Sequence, residues 1–184
     1  FNGASSFNQP LNSWDVSNVT DMNSMFYGAS AFDQPLNNWD VGNVTSMWAS
    51  FYNATSFNQP LDNWDVGNVT SMSVMFSGAS SFNQPLNNWN TGNITFMYGM
   101  FKNTSSFNQS LAAWDVSNVT GTTGMYDMLN YTALSVANYD ATLIGWSSQN
   151  LKNGVHLNAF SRKYCTSAAE RQSIITNHSW TIID

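Results

Sequence analysis

Large apolar side chains along residues 11–35 fall at Leu11, Trp14, Val16, Val19, Met22, Met25 and Phe26, followed by Ala29 and Phe32. From Trp14 to Val16 the period is two, which predicts a short strand with alternate side chains on opposite faces. From Val16 through Val19 and Met22 to Met25 the period is three, which predicts a tight turn and a helical or 3₁₀ segment. Gly28 and Pro35 punctuate the return. The pattern then recurs every 25 residues, marked by Trp14, Trp39, Trp64, Trp89 and Trp114. Leu11, Leu36, Leu61, Leu86 and Leu111 form one apolar column, and Phe7, Phe32, Phe57, Phe82 and Phe107 another. Val16, Val41, Val66, Thr91 and Val116 make a third, and Val19, Val44, Val69, Ile94 and Val119 a fourth. A fixed period of this size predicts an α/β solenoid, a right-handed stack of 25-residue coils with a parallel β-sheet face. No single coil can bury these residues, so stacking is what stabilises them. The Met column (Met22, Met47, Met72, Met97) fits core filling better than a row of thioether metal ligands.

Five coils occupy residues 1–127, the N-terminal one incomplete, and the pattern decays after Val119 and Thr120. Residues 128–184 predict a small α/β cap over the last coil. There LSVANYDATLIGWSSQNL reads as an amphipathic helix, with Leu134, Tyr139, Leu143, Ile144 and Trp146 on its apolar side. GVHLNA is strand-like, TSAAERQSIITNHSW helical, and TIID a terminal strand. Ser167 and Glu170 have the spacing of a capping box. The chain opens in mid-repeat, because Phe1-Asn2-Gly3-Ala4 aligns with Phe26-Tyr27-Gly28-Ala29, so a longer protein with an export signal and N-terminal cap is expected.

Charge narrows the partners. Only 9% of residues are charged, against about 25% in an average globular protein. Residues 1–127 carry eight Asp and one Lys, a net of −7, while 128–184 carry a net of +1. An acidic array repels nucleic acid and anionic lipid. No apolar run is long enough to insert in a membrane. The single Cys165 rules out an internal disulfide framework.

The motif L-x-x-W-D-V-S/G-N-V-T-x-M-x-x-M-F is readable at 11–26, 36–51, 61–76, 86–101 and 111–126. Its departures are Ser50 for Met, Asn90 and Thr91 for Asp-Val, and Thr122 for Met. This motif resembles the BspA-like leucine-rich repeats of bacterial surface proteins, in the tryptophan-containing variety of mycoplasma lipoproteins and marine Bacteroidetes. Tyr139, Asp140, Leu143, Trp146, Tyr164, Cys165, Arg171, Trp180, Thr181, Ile182 and Asp184 resemble the C-terminal pattern of flavobacterial surface proteins. The resemblance implies an extracellular recognition or adhesion module at a bacterial cell surface, without implying one activity.

Several columns are candidates for function. With Trp14 and Val16 inward, Ser13, Asp15 and Ser17 point outward, and the same face carries Asn38, Asp40, Asn63, Asp65, Asn88, Asn90 and Asp115. These are the candidate ligand-binding residues for an extracellular protein or polysaccharide. Carboxylates stacked about 4.8 Å apart repel by roughly 1 kcal/mol or more. One relief is a row of Ca²⁺ sites at Asp15, Asp40 and Asp65; the other is that each Asp accepts N–H bonds from the turn that follows it. No D-x-D or D-x-N-x-D calcium loop accompanies the column, which favours the turn. Asn18, Asn43, Asn68, Asn93 and Asn118 each begin a glycosylation sequon, yet their identical repeat position favours an amide ladder. The Thr20, Thr45, Thr70, Thr95 and Thr120 row suggests ice binding, but capping of a helical turn explains it more simply. Tyr27, Trp48, Tyr52, Phe96 and Tyr98 occupy variable positions suited to stacking on sugars or peptides, though they are scattered along the chain.

Catalysis finds little support. His156 and His178 are the only histidines, and neither accompanies a nucleophile motif. The Asp column is equivalent throughout, whereas glycosidase chemistry needs two carboxyls in contrasting environments. A lone Cys165 at a helix start reads as a small hydrophobe more readily than as a nucleophile. The sequence therefore predicts a non-catalytic binding module without a resident cofactor, with a structural spacer or a glycan-capture module as the alternatives.

Overall fold

The structure, a computed structural model, describes residues 1–184. Residues 11–134 form five coils, and each coil bonds to the next through a repeated set of contacts. Within 39–41 and its equivalents through 114–116 burial alternates, with Trp39 and Val41 inside and Asp40 outside, whereas Trp14, expected to point inward, is half exposed. No strand forms there, because a turn closes on each side. Trp39 N–H donates to Leu36 carbonyl (3.0 Å) and Val44 N–H to Val41 carbonyl (2.9 Å), which leaves too few extended residues for a ladder. Parallel pairing between coils appears instead as a file of single bridges, Asp21–Ser46–Ser71–Phe96.

The segment with period three is not a helix either. Met25, Tyr27 and Ala29 donate to the carbonyls three residues back, while Met22, Ser24, Phe26 and Gly28 donate to Ser46, Trp48, Ser50 and Tyr52 of the next coil. Alternate N–H groups thus serve the coil itself and its neighbour. The zigzag is made by two files of left-handed residues, one through Ser24, Ala49, Val74 and Gly99, the other through Gly28, Asn53, Gly78 and Asn103. Val74, at φ 51°, is β-branched and strained there.

Three side-chain files tie the coils together. The indole N–H groups of Trp39, Trp64, Trp89 and Trp114 donate to Leu11, Leu36, Leu61 and Leu86 carbonyls at 2.8–3.0 Å. The amides of Asn43, Asn68, Asn93 and Asn118 donate to the carbonyls of Ser17, Gly42, Gly67 and Gly92 at 2.7–2.8 Å. A third file had no counterpart in the sequence reading. Asn8, Asp33, Asn58 and Asn83 accept the backbone N–H of the residue 25 positions on, and the Gln that follows that donor (Gln34, Gln59, Gln84, Gln109) donates to the same oxygen. Inside, Phe26, Phe51, Phe76 and Phe101 stack at 5.3–5.8 Å between centroids, each beside Phe32, Phe57, Phe82 and Phe107.

The register continues past residue 120. Met72 N–H donates to Phe96 carbonyl, 24 residues on, but Met97 N–H donates to Gly124 carbonyl and Phe101 N–H to Met128 carbonyl, 27 residues on. Three residues are therefore inserted before Gly124, and Met125, Met128 and Leu129 fill the buried columns. Thr122 does not stand in for a Met; it lies in the exposed insertion. The boundary expected at 127/128 consequently runs through the fifth coil.

The cap holds α1 (Val136–Ser147), β1 (His156–Asn158), α2 (Ala168–His178) and β2 (Thr181–Ile183), with β1 and β2 parallel. Helix α1 imitates a sixth coil. Trp146 extends the indole file to Leu111 carbonyl (3.0 Å), and Asn138 takes the Gln role against Asn108 (2.6 and 3.0 Å). Gly145 permits the approach, since a Cβ there would lie 2.4 Å from Ala112 carbonyl. Met125 bridges Leu157 of β1, so one buried core of 48 residues runs from Leu11 to Ile182 without interruption. The capping box expected at Ser167 and Glu170 does not form. Ser167 hydroxyl turns to Asp140 of α1 (2.5 Å), which also accepts the N–H groups of Cys165 (3.0 Å) and Thr166 (2.9 Å) ahead of α2. Arg171 clamps Asp184 with two bonds (2.8 and 2.7 Å), and the buried Tyr139 hydroxyl donates to the same carboxylate (2.9 Å).

Candidate functional site

The outward polar face is present but largely self-satisfied. Asn38, Asp40, Asn63, Asp65, Asn88, Asn90, Asp115 and Asp15 are all exposed. Asp40, Asp65 and Asp115 accept the N–H of Gly42 (3.1 Å), Gly67 (2.9 Å) and Ser117 (2.9 Å), and Asn90 accepts that of Gly92 more weakly at 3.4 Å. Asp15 accepts both the hydroxyl and the N–H of Ser17, which hold its carboxyl below the usual range. The following Gly matters geometrically: a Cβ at Gly67 would stand 3.1 Å from Asp65 and 3.3 Å from Asn90. Each carboxylate is thus engaged by its own turn, and no three His, Cys, Asp or Glu side chains converge anywhere in the chain. Asn90 also interrupts the carboxylate file between Asp65 and Asp115.

The Thr row is similarly engaged. Thr45, Thr70 and Thr95 hydroxyls donate to the carbonyl of the preceding Thr in the row at 3.2–3.3 Å. His156 lies in β1 and His178 ends α2, apart from any convergent nucleophile. Cys165 is exposed, with its N–H on Asp140.

The variable aromatics are not scattered in space. The zigzag backbone sends residues four apart to the same side, so Trp48 and Tyr52 of coil two stand together beside Tyr27 of coil one. Tyr98 and Lys102 of coil four face them across coil three. Together with Ala49, Val74 and Asn103 these side chains line a groove of about 350 Å³. Its volume lies at the lower end of the range of small-molecule sites, roughly 300–1,000 Å³. Trp48 remains 46% exposed and Tyr98 38%, whereas Trp39, Trp64, Trp89 and Trp114 are buried. Tyr27 stacks on Tyr52 at 4.6 Å and Tyr98 on Tyr126 at 6.2 Å, so the walls are braced from behind. Phe96 is exposed but does not line the groove. The one charge in the groove, Lys102, bonds Asp127 at 2.6 Å, and that bond raises its pKa. Ala49, Val74, Lys102 and Asn103 were missed at the sequence level. The signal for Lys102 was available as disagreement between coils in the column Tyr27–Tyr52–Ser77–Lys102, as it was for Trp48 and Tyr98 in Asn23–Trp48–Ser73–Tyr98.

No curated protein and no solved structure matches the chain. A family model described as "Mycoplasma protein of unknown function, DUF285" matches residues 1–50 and 36–139, which take in the coils and the start of α1. The chain, three quarters of whose length that model spans, therefore belongs to the DUF285 family of Mycoplasma proteins of unknown function.

Proposed function

We propose that this chain is a non-catalytic recognition or adhesion module of a bacterial surface protein, working outside the cell on a protein or a polysaccharide. Its architecture fits a right-handed solenoid of the BspA-like leucine-rich-repeat type, closed by the α1–β2 cap. One observation carries the reading: the groove between Trp48 and Tyr98. The columns from Trp39 to Trp114 and from Phe26 to Phe107 are spent on the core, whereas these rings face solvent around an apolar floor. The Asn38–Asp115 polar face is the secondary candidate, because its carboxylates at Asp40, Asp65 and Asp115 already serve the turns.

The test is binding of the full chain to glycan and extracellular-protein arrays, repeated with Trp48→Ala/Tyr98→Ala and with Asp40→Ala/Asp65→Ala. Loss of a bound partner in the first variant alone supports the groove. Loss in the second alone transfers recognition to the polar face. A folded chain that binds nothing on either array is a spacer, and the reading falls.

A further inference from the structure

We propose that the groove over coil three is a subsite for one pyranose ring of a neutral polysaccharide whose ring hydroxyls are all equatorial, as in β-linked glucans and xylans. This rests on the recognition reading above and names the ligand class of the same site. Where neighbouring coils both carry an outward ring, the rings stack on each other, as in Tyr27–Tyr52 and Tyr98–Tyr126. Coil three breaks this rule at both columns, with a small, buried Ser73 between Trp48 and Tyr98 and a buried Ser77 between Tyr52 and Lys102. The walls are thus two coil steps apart, about 10 Å from twice the strand spacing. A flat ring in contact on both faces needs about 7–8 Å. The puckered, thicker chair of a sugar fills the wider gap better than an aromatic side chain does.

The chemistry of the lining agrees. The floor is Val74, with the fully buried Ala49 beside it, and neither has a hydrogen-bond donor in its side chain. A pyranose with equatorial hydroxyls presents axial C–H groups on both faces, suited to rings on either side; an axial hydroxyl, as in galactose or mannose, spoils one face. The rim supplies polar groups at ring edge level, the tyrosine hydroxyls and the Asn103 amide. Charge selects for neutrality, because Lys102 is bonded to Asp127 and the array is acidic at −7 over residues 1–127. An anionic chain such as alginate is repelled, and no free carboxylate in the groove awaits a cationic one.

The test uses affinity electrophoresis and calorimetry of the full chain with hydroxyethyl cellulose, xylan, galactan, mannan and alginate, alongside an extracellular-protein array. The expected result is binding to hydroxyethyl cellulose or xylan, at least tenfold weaker binding to the other three, and quenching of Trp48 fluorescence. Ser73→Tyr, which supplies the ring coil three lacks, should cut binding at least tenfold in a chain that circular dichroism shows to be folded. Trp48→Ala, at an exposed position, should do the same should Ser73→Tyr fail to fold. Equal binding by folded Ser73→Tyr or Trp48→Ala, equal affinity for galactan or mannan, or no saccharide binding would each overturn the proposal. Protein binding lost on Trp48→Ala without saccharide binding overturns the ligand class and leaves the recognition reading standing. No binding to either array removes both.

Discussion

Replacing Trp146 with Phe should destabilise the protein by about 2–3 kcal/mol, whereas the same change at Trp14 should cost under about 1 kcal/mol. The two residues share the Trp column and differ in burial and in hydrogen bonding. Trp146 is fully buried, and its N–H donates to Leu111 carbonyl at 3.0 Å. That carbonyl also accepts the backbone N–H of Trp114 at 3.0 Å, so it keeps one partner and the lost bond is worth about 1 kcal/mol. The space left by the smaller ring, a few tens of Å³ at roughly 24 cal/mol per Å³ with the lost transfer term, adds about 1–2 kcal/mol. Trp14 is 51% exposed and its indole donates to nothing within the chain, so neither contribution applies in full. At roughly 2–4 °C per kcal/mol for a chain of this size, Trp146→Phe should lower the midpoint by about 5–10 °C. Urea titration and thermal unfolding followed by circular dichroism measure both variants. Amide exchange should accelerate first in coil five, because a repeat stack opens from an uncapped end. Equal losses at the two sites would refute the claim that α1 takes the place of a further coil.

Acid sensitivity should centre on Asp140. Burial alone would raise its pKa, but hydrogen bonds from Ser167, Thr166 and Cys165 outweigh that and hold the carboxyl well below the ordinary range. With the folded pKa depressed, its contribution is complete above the unfolded value of about 3.9 and is lost as pH falls below it. The native midpoint should therefore drop more steeply below about pH 4 than that of Asp140→Asn, which itself costs about 2–3 kcal/mol at neutral pH; parallel profiles would contradict this. Val74→Gly relieves a β-branched residue at φ 51° and should change stability by less than about 1 kcal/mol, while Val66→Gly in the core of the same coil costs about 3 kcal/mol. Similar losses at both sites would show that the left-handed file is unstrained. EDTA should leave the midpoint unchanged, since the Asp column already bonds its turns; a fall of several degrees would instead establish bound cations.

The period of 25 and its inward columns were legible because stacking forces every coil to repeat its core. The cap elements were legible for a related reason: α1 and α2 fall inside the segments at 134–151 and 166–180 that carried helical pattern. The backbone of each coil was not. Ser24, Ala49 and Val74 adopt left-handed φ with no Gly or Asn to announce it, and inter-coil hydrogen bonds impose that conformation against local propensity. The insertion ahead of Gly124 stayed hidden because Thr122 and Met125 were read at fixed spacing, and only the offset of the bonds reveals it. Asp140 as the cap of α2 is a contact across 25–27 residues, beyond any local motif. The groove escaped notice for the same reason. Trp48, Tyr52 and Tyr98 lie 4 and 46 residues apart and meet only once the left-handed files set residues four apart on one side.

The most direct measurement is the indole N–H region of a ¹⁵N-resolved spectrum, recorded while the full chain is titrated with hydroxyethyl cellulose oligomers. The account predicts that the Trp48 resonance shifts and broadens, while Trp39, Trp64, Trp89, Trp114 and Trp146, buried and bonded to carbonyls, stay fixed. A stationary Trp48 with shifts confined to the Asp40–Asp65 face, or no shift at all, would contradict it.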